Sequence, residues 1–324
     1  MKEKILITPK SFSQAGDAAY KPLREAGFEV VENKTGKTLD EAQLMEQCAD
    51  IDGIVVGIDP LTEAVLKSAK KLKAISKYGA GLDNIDLKAA ADLGIKVERA
   101  AGTNAVSVAE LAIGLFFSLA RSIPAVSAIT KSGKWDRVKG VELTGKTVGI
   151  VGFGNIGREV ARMASGLGMK VLTYDPLLEA DAHSQESSPL KELKECIGKY
   201  SVKTDGLDQV IKEADFLTLH LPLTGETKYM INRDTLASMK KTAYLVNTAR
   251  GELVDEDALY DALKNGVIAG AAEDVFSTEP PEGHKLLTLD NFLLTSHIGG
   301  FTVEAVEKMA VRSAINLVNM LKGE

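Results

Sequence analysis

The 324-residue chain is poor in several things that define whole classes of protein. It has two cysteines, Cys48 and Cys196, far apart and without CxxC spacing, so neither a disulfide framework nor a thiolate metal centre is expected and no metal is assigned. It lacks a long hydrophobic run: the most apolar stretch, Leu111–Ala120, is too short to span a bilayer, is flanked by Glu110 and Arg121, and reads as a buried helix. A secretory leader is not expected, because Met1-Lys2-Glu3-Lys4 runs straight into the strand-like Ile5-Leu6-Ile7, and the chain is therefore expected to be cytoplasmic. Repeats and low-complexity blocks are missing too, which excludes solenoids and large-scale disorder. A net charge of −6 offers no sequence-wide attraction to phosphate backbones or anionic lipid, so nucleic acid and membranes are not expected as partners. The lysines from Lys67 to Lys73 read as a solvated helix face.

What is there is a regular alternation. Apolar runs at Ile5–Thr8, Phe28–Val31, Gly53–Val56, Leu72–Ser76 and Ile95–Val97 read as strands, separated by helical patterns such as Leu61–Ser68 and Leu87–Leu93. The alternation resumes at Thr147–Gly152, Lys170–Tyr174, Phe216–Leu219, Tyr244–Asn247, Ile268–Ala272 and Phe292–Thr295, with helices such as Glu256–Lys264 between. Two doubly wound α/β domains with parallel sheets follow. Between them Asn104–Ala120 is apolar almost all round, as a helix buried at a domain boundary would be. A last helix, Val303–Leu321, would return to the first domain if that domain is built from both chain ends.

The sharpest chemical signal is Thr147-Val148-Gly149-Ile150-Val151-Gly152-Phe153-Gly154-Asn155-Ile156-Gly157-Arg158, a strand entering a GxGxxG turn that opens a helix. Gly152 permits the tight turn, Gly154 lets a pyrophosphate approach the backbone, and Gly157 allows close packing of helix on strand, while the helix N-terminus offers unpaired N–H groups. Asp175 ends the next strand at the ~20-residue spacing where an acid binds the ribose hydroxyls of a dinucleotide. A carboxylate there repels a 2′-phosphate, so NAD is expected in preference to NADP. A turn that needs glycine only for packing would explain the glycines but not the acid.

Three residues near later strand ends suit substrate chemistry. Arg250, in Asn247-Thr248-Ala249-Arg250-Gly251, has a planar fork that can take a carboxylate in two hydrogen bonds. Glu279 and His297 could form a proton relay, since an imidazole titrates near neutrality and a neighbouring carboxylate stabilises its protonated form. Taken singly, a surface ion pair, a loop acid and a core histidine explain them as well.

The GFGNIG turn, the NTARGELVDEDAL run, EDVFSTEPP and SHIGG together resemble the NAD-dependent D-2-hydroxyacid dehydrogenase family, over nearly the whole chain. The likeness extends to members that oxidise phosphoglycerate and to those that reduce hydroxypyruvate or glyoxylate. It implies a Rossmann NAD-binding domain, residues 104–296, inserted into a flavodoxin-like substrate domain, residues 1–103 plus 297–324. It implies that Arg250 binds the substrate carboxylate and carbonyl, that His297 exchanges the proton on the substrate oxygen, and that Glu279 holds and tunes His297. Cofactor contacts are implied for Gly152, Gly154, Asn155, Ile156, Gly157, Asp175, Leu221, Pro222, Thr227, Thr248, Ala249, Asp274, Gly299 and Gly300. Lys77, Tyr78, Gly79, Ala80 and Gly81 match the family's substrate loop, whose N–H groups would grip the carboxylate of a small 2-hydroxy or 2-oxo acid as the cleft closes. A homodimer is implied, joined around the interdomain helix and the arm Ile123–Trp135, with Trp135 as an interface anchor or a residue reaching a neighbouring site.

Departures from the family are also informative. Phosphoglycerate-oxidising relatives often carry arginine where this chain has Gly57, which weakens a phosphate clamp and leaves Lys77 as the next basic position. Such enzymes often append a regulatory domain; the sequence stops at Glu324 and feedback through such a domain is not expected. The polar stretch Glu179–Ser188 looks longer than usual and is expected as a surface excursion near the adenosine end. Two other readings stay open: an NAD-sensing co-repressor of the same fold, and a formate dehydrogenase relative, for which glutamine rather than Glu279 would be typical.

Overall fold

The computed structural model describes residues 2–179, 188–200 and 202–323, so most of the polar stretch Glu179–Ser188 lies outside the described residues. The chain separates into two units, Met1–Asn104 with Gly300–Glu324, and Ala105–Gly299. The division falls slightly later than the expected 103/104 and 296/297. His297 to Gly299 stay with the second unit because Asp274 binds their backbone: its carbonyl accepts from His297 N–H, and its carboxylate accepts from those of Ile298 and Gly299.

In the first unit the strands are β1 (Lys4–Ile7), β2 (Glu29–Glu32), β3 (Gly53–Val56), β4 (Ala74–Lys77) and β5 (Lys96–Arg99). They form one parallel sheet in the order β2-β1-β3-β4-β5, the flavodoxin-like arrangement. The central strand β3 is apolar throughout because helices cover both faces, and each of its residues is buried. The helix Val303–Lys322 belongs to this unit: Ala310, Ala314 and Leu317 share a core with Ile5, Phe12, Leu23 and Val55. Its start is set by Thr302, whose side chain accepts from Ala305 N–H, and its end by Gly323 in the left-handed conformation at φ 77°.

The second unit has β6 (Thr147–Val151), β7 (Lys170–Tyr174), β8 (Lys203–Thr204), β9 (Phe216–Leu219), β10 (Tyr244–Asn247), β11 (Gly270–Glu273) and β12 (Phe292–Leu294). Their order is β12-β11-β10-β9-β6-β7-β8, all parallel, which is a Rossmann sheet whose direction of winding reverses between β6 and β9. Ligands of such sheets bind beyond the carboxyl ends of the strands at that reversal. One face is filled by Leu217, Leu219, Leu245, Leu259 and Ala271, the other by Val148, Ile150, Val246 and Ala272. The helix Ala105–Arg121 packs Ala109, Ala112 and Phe116 against Val160, Ala161 and Ala164 of the helix Asn155–Gly166, and the Phe116 ring lies 5.2 Å from that of Phe216. Each fully buried phenylalanine contributes about 1.5–3 kcal/mol relative to exposure.

Candidate active site

The glycine turn forms for steric reasons that single atoms make plain. Gly152 has φ 98°, and a Cβ there would lie 2.7 Å from the His220 carbonyl carbon. A Cβ at Gly157 would overlap the carbonyl oxygen of Gly152. At Gly154 nothing stands within 4 Å of a Cβ position, so the turn is open on the side where the helix Asn155–Gly166 presents its first N–H groups, and no side chain caps them. Asp175 is buried at the end of β7, where its carboxylate accepts from Phe153 N–H at 2.6 Å and from Leu177 N–H at 2.9 Å. One carboxylate thus ties the turn to the strand end.

The other expected cofactor positions cluster around the same edge of the second unit, except Gly300, which falls in the first. Asn155 begins the helix and accepts from Arg158, while Ile156 is half-buried against the core. Leu221 is buried, and the carbonyl of Pro222 accepts from the Thr227 hydroxyl at 2.7 Å, closing the turn after β9. Thr248 is buried with no hydrogen-bond partner for its hydroxyl among the described residues, and Ala249 N–H donates to Asn247 Oδ1 at 3.1 Å. An open glycine turn, an uncapped helix start, a carboxylate at β7 and an unsatisfied buried hydroxyl at β10 fit a dinucleotide.

Arg250 follows β10 on a turn shaped by Asn247, whose amide donates to the Arg250 carbonyl at 2.8 Å. The guanidinium is part-buried and donates to the Ala249 carbonyl at 2.6 Å. Gly251 comes next, and a Cβ there would collide with the Phe276–Ser277 peptide. This close approach brings the loop after β11 against the Arg250 turn.

That loop carries Glu279. Its Oε1 accepts from Phe276 N–H at 3.0 Å, and its Oε2 accepts from His297 Nδ1 at 2.8 Å. The pair is half-open to solvent, with 47% of the His297 side chain and 36% of the Glu279 side chain exposed. The hydrogen bond to Glu279 raises the His297 pKa; burial opposes this, and the charges of Glu279 and Asp274 outweigh that of Arg250. Burial pushes the Glu279 carboxyl up, but the bonds from His297 and Phe276, with the positive charges of His297 and Arg250, hold it below its ordinary value. His297 has φ 55°, a conformation that L residues seldom adopt. Asp274 imposes it: besides binding the N–H groups at 297 to 299, its carboxylate accepts from the Thr295 hydroxyl at 2.5 Å. The sequence suggested Asp274 only as a cofactor neighbour; its part in building the histidine turn carries no sequence signal, since its partners are mostly backbone.

In the second unit, His220 and Glu273 are buried ionisable groups that went unread in the sequence. His220, under the glycine turn, is held neutral by burial, its pKa lowered to about 3, with Nε2 at 3.0 Å from the Thr218 hydroxyl. Glu273, the last residue of β11 beside Asn247 of β10, is fully buried, and among the described residues its carboxyl oxygens have no hydrogen-bond partner within ordinary geometry. Burial, then the nearby Glu256 charge, push its pKa up to about 8 against the opposing effect of Asn247, so it is protonated at neutral pH.

In the first unit the expected substrate loop leaves β4. Lys77 is buried, and its ammonium bonds to the Gly57 carbonyl and, at 2.6 Å, to Asn84 Oδ1. Tyr78 packs by Phe12 and bonds to Ser11 and to the Val306 carbonyl. Gly79 has φ 126°, open to glycine alone, and the Ala80 carbonyl accepts from Arg99 at 3.1 Å, with Gly81 following. Gly300 lies against Asn104, and Gly299 against the Asp274 carboxylate.

Residues 113–299 match the family model described as D-isomer specific 2-hydroxyacid dehydrogenase, NAD binding domain. The chain is 43% identical over 324 residues to a D-3-phosphoglycerate dehydrogenase of Methanocaldococcus jannaschii, a match covering 99% of this chain and 58% of that protein. It is 40% identical over 301 residues to a hydroxypyruvate reductase of Thermotoga maritima, covering 90% of this chain and 93% of the other. Among solved structures, a glyoxylate reductase of Paecilomyes thermophila superposes with a TM-score of 0.85 at 28% identity, covering 100% of this chain and 97% of the other. An NAD+-bound 3-phosphoglycerate dehydrogenase of Entamoeba histolytica gives 0.79 at 28%, covering 99% and 96%. With a Rossmann unit that fits NAD and a histidine–carboxylate pair on its rim, the chain belongs to the D-isomer specific 2-hydroxyacid dehydrogenase family, oxidoreductases that act on CH–OH donors with NAD.

Proposed function

We propose that this protein interconverts a small D-2-hydroxy acid and its 2-oxo acid, with NAD(H) preferred over NADP(H). The observation that carries the reading is the 2.8 Å bond between His297 Nδ1 and Glu279 Oε2, on a histidine whose pKa that carboxylate raises. Bound NADH supplies the hydride. His297, protonated, donates from Nε2 to the carbonyl oxygen as the alcohol forms, and in oxidation the neutral ring takes that proton back. Glu279 fixes the ring by Nδ1 and stabilises the imidazolium. Arg250 orients the carboxylate and polarises the carbonyl with its fork. The N–H groups of Gly79, Ala80 and Gly81, with Lys77 and Tyr78, are assigned to substrate binding, and Asp175 to the ribose hydroxyls.

The preferred substrate is unphosphorylated. Gly57 offers no side chain to a phosphate, and the Lys77 ammonium is engaged by Gly57 and Asn84. The hydroxypyruvate reductase from Thermotoga, matched over 93% of its length, supports this. The 43% identity to a phosphoglycerate dehydrogenase favours the second reading, a phosphorylated substrate. NADH oxidation against glyoxylate, hydroxypyruvate, pyruvate, phosphohydroxypyruvate and bulkier 2-oxo acids separates them. A higher kcat/KM for an unphosphorylated acid is expected, a clear win for phosphohydroxypyruvate reverses the substrate assignment, and no turnover of any 2-oxo acid sinks the enzymatic reading in favour of a co-repressor.

A homodimer through the helix Ile123–Lys131 belongs to the same reading. That helix has no buried side chain, Ile123 is 50% exposed, and Trp135 beyond it is 85% exposed. Apolar surface of this kind is what a second copy would cover.

A further inference from the structure

Glu256 opens the helix Glu256–Lys264 and is spent on neither helix capping nor solvent. Asp255 does the capping, accepting from the N–H groups of Asp257 and Ala258. The Glu256 carboxylate, whose side chain is only 12% exposed, turns instead to the loop after β11. Its Oε1 accepts from Ser277 N–H at 2.7 Å, and its Oε2 accepts from the Ser277 hydroxyl at 2.9 Å and lies 3.2 Å from His284 Nε2. On its other side the His284 ring is fixed, with Nδ1 accepting from Leu286 N–H at 3.3 Å. One carboxylate therefore grips both ends of the segment from Ser277 to His284, which contains Glu279.

The grip is one peptide away from the proton relay. The residue before Ser277 is Phe276, whose N–H holds Glu279 Oε1, and the Phe276–Ser277 peptide is wedged against Gly251, next to Arg250. From these contacts we infer that Glu256 is a positioning residue for the reaction: it sets the Phe276–Ser277 peptide so that Glu279 meets His297 Nδ1 and Arg250 stays in register. It touches no reacting atom. The inference rests on the assignment of Glu279 and His297 as the relay.

Loss of the grip frees the loop and weakens the Glu279–His297 bond, the largest influence raising the His297 pKa. The groups facing His297 are Glu279 and Asp274, which raise it, and Arg250, which lowers it; Glu256 itself is faced by Ser277, His284 and Glu273. A loosened Glu279 thus leaves Arg250 a larger share of the balance, and the imidazolium is lost at lower pH.

The test is an NMR titration of the histidine rings in the full chain, which has four, together with the pH profile of reduction. In Glu256→Ala the His297 midpoint is expected to move to lower pH, by part of the shift produced by Glu279→Gln. The alkaline limb of kcat should move with it and kcat at pH 7.5 should fall about tenfold, less than the about 10²- to 10⁴-fold of fully lost acid–base help because the relay is loosened and not removed. KM for the 2-oxo acid and Kd for NADH should stay within about twofold. Asp257→Asn, which removes only the exposed bridge to Lys285, should match the wild type. A folded Glu256→Ala with an unmoved His297 midpoint and kcat profile overturns the inference. Should that variant not fold, Glu256→Leu decides: its side chain can accept from neither Ser277 nor His284, and an unmoved midpoint overturns the inference equally. If Glu279→Gln shifts the midpoint and neither Glu256 variant does, only the role of Glu256 falls; if Glu279→Gln shifts nothing, the relay itself is misassigned.

Discussion

His297 holds its ring to Glu279 from a left-handed backbone that Asp274 enforces, so chemistry and conformation are coupled at one residue. Removing the ring should cost kcat about 10²- to 10⁴-fold, the range for lost acid–base help. In His297→Ala, NADH affinity measured by fluorescence titration should change little, since the glycine turn and Asp175 are untouched. Glu279→Gln has a different signature. Reduction needs the imidazolium, whose pKa Glu279 raises, so without the carboxylate that form is lost at lower pH and the alkaline limb of the profile should move down. Activity should recover in part on acidification, and movement of the limb to higher pH would refute the pairing. Arg250→Lys should raise KM and lower kcat together, because an ammonium cannot reproduce the two-pronged grip that orients the acid. Near wild-type kinetics for that variant would remove Arg250 from the site.

The strand β11 ends in Glu273, a carboxyl inside an apolar layer, and stability should register it. Its folded pKa of about 8 lies above the ordinary glutamate value of about 4.3, so the folded state holds the proton more tightly than the unfolded chain. The stability this group contributes is complete below about pH 4.3 and is lost as pH rises towards about 8, by up to about 1.4 kcal/mol per pH unit. Glu273→Leu should therefore unfold at higher temperature than the wild type, with the gap in Tm widening from pH 5 to pH 8; a gap independent of pH would show that Glu273 is not held protonated. Sequence could not show this, because a single acid at the end of an apolar run reads as a strand end. The runs that became β6, β7, β9 and β10 were legible because strands buried on both faces must be apolar along their length. The two-residue exposed β8 has no such constraint, and the helix Ile123–Lys131 has no buried side to mark it. Within the candidate site the sequence suggested Arg250, Glu279 and His297 from their motifs, whereas Asp274 acts mainly on backbone N–H groups that any sequence provides, and Glu256 meets a loop serine and histidine that no motif marks.

At the scale of the whole molecule, two choices hang on surface and loop chemistry. Gly57 has an ordinary backbone and only van der Waals neighbours around a Cβ position, so a larger side chain is sterically admissible there. Gly57→Arg should raise kcat/KM for phosphohydroxypyruvate relative to hydroxypyruvate, and an unchanged ratio would mean that position 57 does not read the distal group. The proposed dimer should give twice the 34.6 kDa chain mass by light scattering, and Ile123→Asp should shift it towards one chain; a monomer in the wild type would retire the interface. The contact between Gly251 and the Phe276–Ser277 peptide has a consequence for recombination between homologous genes. A Cβ at 251 would collide with that peptide, so a chimera with a crossover between codons 251 and 276 takes the residue at 251 from one parent and the loop set against it from the other. Such breakpoints should be depleted among active progeny, while those that pass both loops on together should be enriched, and the pair would travel as one heritable cassette.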